Sequence, residues 1–317
     1  MQLIVGEEFA TQLNERLEDL HEQIELLTVA RDGQTDADLS LADAVLLPGI
    51  SRDALPGVLD AAPRLRWVHA GSAGVESLPL DLIRERKLVL TNSAGVYAIP
   101  IAEWVIHALL LIAKRGSQMF EAQQQQRWAD DVDFDELGGK TLTILGIGGI
   151  GVEIAKRAAA FDMRVVGINR SGKAAPHVDQ IISGDNWRDA LRDTDYLVIA
   201  TPLTDTTRNL IGSDEIDLLP DHAWIINIAR GAIIDEAALI RSLQNGTLGG
   251  AALDTFAQEP LPADSPLWTL PNVIVSPHHS GSSPHSEQRM LDLFIDNLRR
   301  FLNGEELLNV VDLEAGY

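Results

Sequence analysis

The stretch TLTILGIGGIGVEIAKRAAAF, residues 141–161, decides the fold. Its first five residues favour a β-strand, its last ten favour a helix, and GIGGIG between them fits the pattern G-x-G-x-x-G. In such a unit Gly146 permits a tight turn, Gly148 lets the backbone approach a pyrophosphate, and Gly151 lets the helix contact the strand. The helix N-terminus then offers N–H groups and a positive dipole to phosphate. The stretch therefore predicts a Rossmann-type nucleotide-binding unit.

Apolar strands recur on both sides of this unit. The first third alternates short apolar runs with amphipathic segments, which predicts a βαβα succession and a parallel sheet. Five near-continuous apolar strands follow the glycine-rich loop, which is typical of a sheet covered on both faces; they are 164–168, 196–200, 223–228, 250–254 and 272–276. Helical patterns cover 99–128 and 286–304. We therefore expect an α/β protein with two doubly wound parallel sheets.

Composition narrows the classes of function. The 317 residues suffice for two domains, and a net charge of −22 disfavours nucleic acid and anionic membranes as partners. The absence of cysteine excludes disulfides and thiolate chemistry, and we expect no metal site. Acidic residues spread along the whole chain are typical of halophilic proteins, in which salt above 1 M shortens the Debye length to about 3 Å. The N-terminus resembles no signal peptide, so we expect a cytoplasmic protein.

The end of the second strand in the Rossmann-type unit contacts the ribose of a bound dinucleotide. An acidic residue there would bind both ribose hydroxyls and repel a 2′-phosphate. This chain instead has a polar and cationic set that suits a phosphate, consisting of Asn169, Arg170, Ser171 and Lys173. We expect NADP(H) as the preferred cofactor, with NAD(H) possible; a solvated loop is the alternative interpretation.

Polar residues follow four later strands of the same series. They are the segment TPLTDTT (201–207), Arg230, Asp254 and the pair His278–His279, and each lies at or just after the end of an apolar strand. Because ligands bind outside the carboxyl ends of strands in an open parallel sheet, these side chains are expected to converge on one cleft.

The sequence motifs of this chain resemble those of a known family, the D-isomer-specific 2-hydroxyacid dehydrogenases. In the second half they are GIGGIG, TPLTDTTRNLI (201–211), NIARGAIIDEAALI (227–240), ALDTFAQEPLPADSPLW (252–268) and SPHHSG (276–281). WVHAGSAGVE (67–76) and NSAGVYAIPIAEWVIHALL (92–110) extend the resemblance into the first half.

The resemblance implies a fold, an assembly and a reaction. A Rossmann cofactor domain, 98–282, is inserted into a flavodoxin-like substrate domain, 1–97 with 283–317. A homodimer forms around the helical segment near 99–128. The implied activity is NAD(P)H-dependent reduction of 2-keto acids to D-2-hydroxy acids, with His278 as proton donor, Glu259 as its carboxylate partner and Arg230 orienting the substrate.

The resemblance also implies binding residues. The turn Ser72-Ala73-Gly74, together with Arg230 and His278, binds the small 2-keto or 2-hydroxy acid, although a plain strand-to-helix turn suits the same small residues. The cofactor contacts are Gly146, Gly148, Gly149, Ile150, Gly151, Asn169, Arg170, Ser171, Lys173, Thr201, Pro202, Ala229, Asp254 and Gly281. The motifs give no functional role to His69 or His107, which are expected to be structural, and Trp104 and Trp128 are expected to be packing residues.

Three alternative functions are compared with the motifs. Some relatives are corepressors that sense nicotinamide cofactors without turnover, and replacing His278 by Ala distinguishes an enzyme from such a module. Formate-specific relatives lack the Glu of the acid–base pair, whereas Glu259 is present here. L-specific lactate and malate dehydrogenases place the glycine-rich loop near the N-terminus, and about 140 residues precede it here, which argues against that class.

Overall fold

The computed structural model describes residues 1–314. The chain forms two compact units. The first comprises Met1–Val96 and the segment from Ser283 onward, and the second comprises Tyr97–Ser282. The last helix of the chain thus belongs to the first unit.

The first unit contains a parallel five-stranded sheet in the order β2-β1-β3-β4-β5. Its strands are β1 Gln2–Gly6, β2 Glu25–Val29, β3 Ala44–Leu46, β4 Trp67–His69 and β5 Val89–Thr91. Its helices are α1 Glu7–Arg16, α2 Leu55–Ala61, α3 Leu80–Glu85 and α9 Ser286–Asn303. This strand order is that of flavodoxin-like folds, in which the chain reverses direction of winding between β1 and β3.

The second unit contains a parallel seven-stranded sheet in the order β12-β11-β10-β9-β6-β7-β8. Its strands are β6 Thr141–Leu145, β7 Arg164–Ile168, β8 Gln180–Ile182, β9 Tyr196–Ile199, β10 Trp224–Asn227, β11 Gly250–Leu253 and β12 Val273–Val275. Its helices are α4 Ala98–Ala113, α5 Gly116–Gln124, α6 Gly149–Ala159, α7 Ser213–Ile216 and α8 Glu236–Asn245.

Burial explains why the strands of the second unit are apolar along their whole length. One face of the sheet packs under α7 and α8, and the other packs under α4 and α6. All five residues of β6 are buried. Counted from β6, the order is that of the Rossmann fold with one further strand. The prediction of an α/β protein with two doubly wound parallel sheets is confirmed.

The predicted helix over 99–128 is two helices in the structure. Arg115, between α4 and α5, has a left-handed backbone with φ of 49°, which ends the first helix. A side chain at Gly116 would lie 2.4 Å from Leu111, so the two helices meet closely at this break. The polar run after Gln124 buries no apolar side chain and is not helical.

The expectation that Trp128 packs inside the protein is wrong for the single chain. Its side chain is 89% exposed, whereas Trp104 packs against the core and His69 is buried. No helix among residues 1–314 has the length and apolar character needed to cross a membrane.

Candidate active site

The glycine-rich loop connects β6 to α6. Gly146 has a φ of 106°, and a Cβ at this position would lie 2.7 Å from the backbone of Ala200 and Thr201. A Cβ at Gly151 would lie 2.3 Å from the carbonyl oxygen of Gly146. Both glycines are therefore required by the protein's own packing, and the loop lies against the carboxyl end of β9.

Gly148 differs from these two glycines. A Cβ there would meet no atom of the protein within 4 Å, so packing does not explain the missing side chain. Helix α6 begins at Gly149 with Gly148 as its N-cap, and the first N–H groups of a helix have no partner within it. The open space beside these N–H groups fits the pyrophosphate of a dinucleotide.

The loop after β7 is shaped by Asn169. Its side-chain oxygen accepts a hydrogen bond from the Gly172 amide at 2.7 Å, and its side-chain nitrogen donates to the Lys173 carbonyl at 3.0 Å. Ser171 Oγ accepts from the Lys173 amide at 3.3 Å. Arg170 lies inside this turn and its residue is exposed. Asn169 thus fixes the backbone that carries the two cations.

His278 and Glu259 form a hydrogen-bonded pair. His278 Nδ1 lies 2.8 Å from Glu259 Oε2, and Glu259 Oε1 accepts from the Phe256 amide at 3.0 Å. The side chains are 47% and 36% exposed, respectively. With Nδ1 directed at the carboxylate, Nε2 is the ring nitrogen available to a ligand.

Asp254 holds the turn that carries His278. The turn contains a non-glycine residue with positive φ, because His278 has a φ of 54°. The buried Asp254 carboxylate accepts from Ser276 Oγ at 2.5 Å, from the His279 amide at 2.8 Å and from the Ser280 amide at 3.0 Å. Strained backbone of this kind persists where surrounding contacts over-determine it. His279 thus contributes its backbone here, and His278 contributes its side chain.

The turn after β10 carries Arg230. Buried Asn227 accepts from the Ala229 amide at 3.1 Å and donates to the Arg230 carbonyl at 3.0 Å. A Cβ at Gly231 would lie 1.8 Å from the carbonyl carbon of Phe256, so this turn packs directly on the segment that leads to Glu259. The structure thus brings the turns that carry Arg230, Glu259 and His278 to the carboxyl ends of β10, β11 and β12.

The remaining cofactor-side residues lie at the same edge of the sheet. Thr201 and Pro202 follow β9, and Thr201 adjoins the glycine-rich loop. Gly281 follows the His278 turn, where an added Cβ would contact the Tyr97 side chain at 3.4 Å.

The loop at 71–74 belongs to the first unit and follows β4. The carbonyls of Ser72, Ala73 and Gly74 accept from the Ser93 amide at 3.0 Å, from Asn92 Nδ2 at 2.7 Å and from Ser72 Oγ at 2.6 Å. Within residues 1–314, the amides of these three residues donate to no acceptor. A loop with occupied carbonyls and unpartnered amides is suited to an anion.

Sequence reasoning missed the residues that shape these turns. Asn227, Ser276, Asn92 and Ser93 begin three of the quoted motifs, and they bind backbone or carboxylate groups, yet they are not among the predicted site residues. Three of the four come directly at or after the end of a strand, which is the one local signal that could have marked them.

The fold and the site define an α/β oxidoreductase of the dinucleotide-binding type. The sequence model for "D-isomer specific 2-hydroxyacid dehydrogenase, NAD binding domain" matches residues 106–280. The chain belongs to the D-isomer specific 2-hydroxyacid dehydrogenase family, and the predicted resemblance is confirmed.

Individual relatives cover most of the chain. It is 36% identical over 259 residues to glyoxylate/hydroxypyruvate reductase B of Pectobacterium carotovorum, covering 80% of this chain and 81% of that one. It is 34% identical to glyoxylate reductase of Aeropyrum pernix, covering 81% and 79%. The crystal structure of NADPH-dependent glyoxylate/hydroxypyruvate reductase from Sinorhizobium meliloti in complex with NADP and sulfate has a TM-score of 0.83, with 28% identity and coverage of 100% and 99%.

Proposed function

We propose that this protein is an NADPH-dependent reductase of small 2-keto acids such as glyoxylate and hydroxypyruvate, forming D-2-hydroxy acids. The observation that carries the proposal is the His278–Glu259 pair, held at 2.8 Å on a strained turn at the carboxyl edge of the Rossmann sheet. The names of the relatives from Pectobacterium, Aeropyrum and Sinorhizobium support the substrate class.

The cofactor proposal assigns the pyrophosphate to the glycine-rich loop and the ribose 2′-phosphate to the loop after β7. Gly148 leaves space for the pyrophosphate, and the amides of Gly149, Ile150 and Gly151 begin α6 beside it. Arg170 supplies a planar donor pair for phosphate, and Lys173 adds a second positive charge. Thr201, Pro202, Ala229 and Gly281 remain proposed contacts of the same cofactor.

NADPH, when bound, supplies the hydride that goes to the keto carbon. The protein's own residues donate the proton and stabilise the negative charge that develops on the keto oxygen. His278 Nε2 donates a proton to the keto oxygen, and Glu259 fixes the ring through Nδ1. The Arg230 guanidinium orients the acid and stabilises negative charge as it develops on that oxygen.

Asp254 contributes to this chemistry by holding the His278 turn. Three donors already occupy its carboxylate, which has further acceptor capacity because an ionised carboxylate offers about four lone-pair sites. We propose that Asp254 also accepts a hydrogen bond from the nicotinamide carboxamide of the cofactor.

The substrate carboxylate is proposed to bind the amides of Ser72, Ala73 and Gly74. Their carbonyls are all occupied within the first unit, so the amides alone remain for a ligand. The carboxylate is the group that all 2-keto acids share, so a reductase of this substrate class needs a site that binds it. The substrate domain is accordingly assigned to 1–97 with 283–317 and the cofactor domain to 98–282.

A homodimer is proposed around α5 and the segment that follows it. Large apolar side chains are exposed there although the protein has a net charge of −22, and Trp128 at 89% and Phe120 at 59% are the most exposed of them. Exposed apolar clusters of this kind mark protein interfaces. A halophilic origin remains a prediction from composition, and a cytoplasmic location remains a prediction from the N-terminal sequence.

The test is a comparison of NADPH with NADH in initial-rate assays of glyoxylate reduction. We expect NADPH to be preferred, and Arg170→Ala to raise its KM about 10-fold or more while leaving NADH unaffected, because one charge-assisted hydrogen bond contributes about 1.5–3 kcal/mol. Arg192→Ala is the matched control. It removes the same charge from an exposed position just before β9, at the opposite end of the sheet. Equal rates with NADH, or equal effects of the two variants, would refute the cofactor assignment.

A further inference from the structure

A fully buried histidine ends strand β4, two residues before Gly71 and the loop at 71–74. His69 is 0% exposed and packs against the rings of Trp67 and Phe294, with centroid separations of 6.1 and 5.3 Å. Burial lowers the pKa of His69 to about 4. The ring is therefore neutral near pH 7 and carries one proton, on either Nδ1 or Nε2.

The contacts of Ser93 decide which nitrogen carries the proton. Ser93 Oγ lies 2.9 Å from the Ala70 carbonyl oxygen and 3.3 Å from His69 Nε2. A carbonyl can only accept, so the single hydroxyl proton of Ser93 goes to Ala70. His69 Nε2 must then be the donor to Ser93 Oγ.

The other ring nitrogen is consequently an acceptor. Thr91 Oγ1 lies 2.7 Å from His69 Nδ1 and donates to it. The same oxygen accepts from Trp67 Nε1 at 2.8 Å. The hydrogen bonds thus run in one direction, from Trp67 through Thr91, His69 and Ser93 to the carbonyl of Ala70. All four side chains that take part in this chain of hydrogen bonds are buried.

This series of hydrogen bonds ends at Ala70, directly before the loop at 71–74. Ala70 is held on both sides, because its amide donates to the Thr91 carbonyl at 2.8 Å and its carbonyl accepts from Ser93. The Ser93 amide also donates to the Ser72 carbonyl at 3.0 Å. A shift of Ser93 therefore acts on the Ala70 carbonyl, directly before the loop, and on the Ser72 carbonyl within it.

We propose that His69 is a positioning residue for substrate binding: as the central link of this buried chain, it holds Ser93 and through it sets the amides of Ser72, Ala73 and Gly74 for the carboxylate of the 2-keto acid. The inference rests on the proposed function of the loop. It goes further by assigning a role to a residue that the motifs leave as packing.

The test separates the two ring nitrogens by substitution. His69→Leu removes both, His69→Asn places polar atoms near Nδ1 only, and His69→Gln can keep the donor towards Ser93. We expect His69→Leu and His69→Asn to raise the KM for glyoxylate about fivefold to tenfold, the loss of about one hydrogen bond. kcat and the dissociation constant of NADPH should change less than about twofold, since carboxylate binding acts equally on ground and transition states. His69→Gln should restore KM to within about twofold of the wild type.

Leu13→Ala is the control for a purely structural effect. Leu13 is buried in the same unit, on α1, and its truncation should destabilise the fold without changing the KM for glyoxylate. Should His69→Leu fail to fold, Ser93→Ala removes the last link and is subject to the same comparison.

The outcomes are distinguishable. If the wild type reduces no 2-keto acid, the proposed function fails and this inference fails with it. If the wild type is active but His69→Leu has a normal KM, or if Leu13→Ala raises KM equally, or if His69→Gln is no better than His69→Leu, the inference alone is overturned.

Discussion

Replacing His69 by Gln should make the stability of the protein less sensitive to acid. Burial lowers the pKa of His69 to about 4 in the folded state, whereas an unfolded histidine has a pKa of about 6.5. Between these two values the unfolded chain binds more protons than the folded one. Stability is therefore lost as the pH falls from about 6.5 to about 4.

The size of the effect follows from the two pKa values. The folded pKa of about 4 against about 6.5 in the unfolded chain corresponds to about 3 kcal/mol in full, and most of it is lost by pH 4.5. Solvent screening does not reduce this free energy, because the His69 side chain is 0% exposed. Gln does not titrate, so the His69→Gln variant lacks this loss.

Urea unfolding followed by circular dichroism measures the effect. Wild type and His69→Gln are unfolded at pH 7.0 and pH 4.5 in the same concentration of potassium chloride. The carboxylates titrate equally in both proteins, so the difference between the two pH-induced losses isolates His69. A difference below about 0.5 kcal/mol would refute the argument that His69 is held neutral by burial.

Three further predictions concern the site and the assembly. Asp254→Asn should lower kcat about 10-fold, because an amide nitrogen cannot accept from the Ser280 amide. Stopped-flow single-turnover rates check this, and an unchanged kcat would contradict it. Gly231→Ala should abolish activity, since its Cβ would overlap the Phe256 backbone at 1.8 Å; wild-type rates and melting temperature would contradict this. Trp128→Ser should shift sedimentation towards the monomer, while Trp268→Ser, another exposed tryptophan, should not; identical sedimentation of both variants would contradict the interface.

Local sequence signals predict the fold of the second unit closely. The strand at 141–145 is encoded by a short run of apolar residues and the turn after it by nearby glycines, and the structure has a strand at those bounds. Gly146 and Gly151 are also explained by close contacts that the motif anticipates. Strand β8 was not predicted, because its three residues, Gln180–Ile182, are only partly buried and give no clear apolar run.

Contacts distant in sequence account for what could not be predicted in the site. Asp254 binds the turn that carries His278 across 22 to 26 residues, and Ser93 binds Ala70 across 23. No periodicity or spacing encodes such pairs. The break of the predicted helix at Arg115 likewise requires a left-handed residue that the sequence does not mark.

We propose that this protein reduces 2-keto acids with NADPH and that His278 donates the proton. The most direct measurement is the rate of NADPH oxidation with glyoxylate and hydroxypyruvate for the wild type, His278→Ala and His279→Ala, together with the dissociation constant of NADPH for each. His279 is the matched control because the turn uses its backbone amide, which alanine keeps. We expect the wild type to turn over both substrates and His279→Ala to have near-normal rates. In His278→Ala the rate should fall about 10²–10⁴-fold, while the dissociation constant of NADPH stays unchanged. Absence of turnover in the wild type, or a greater loss in His279→Ala than in His278→Ala, would contradict it.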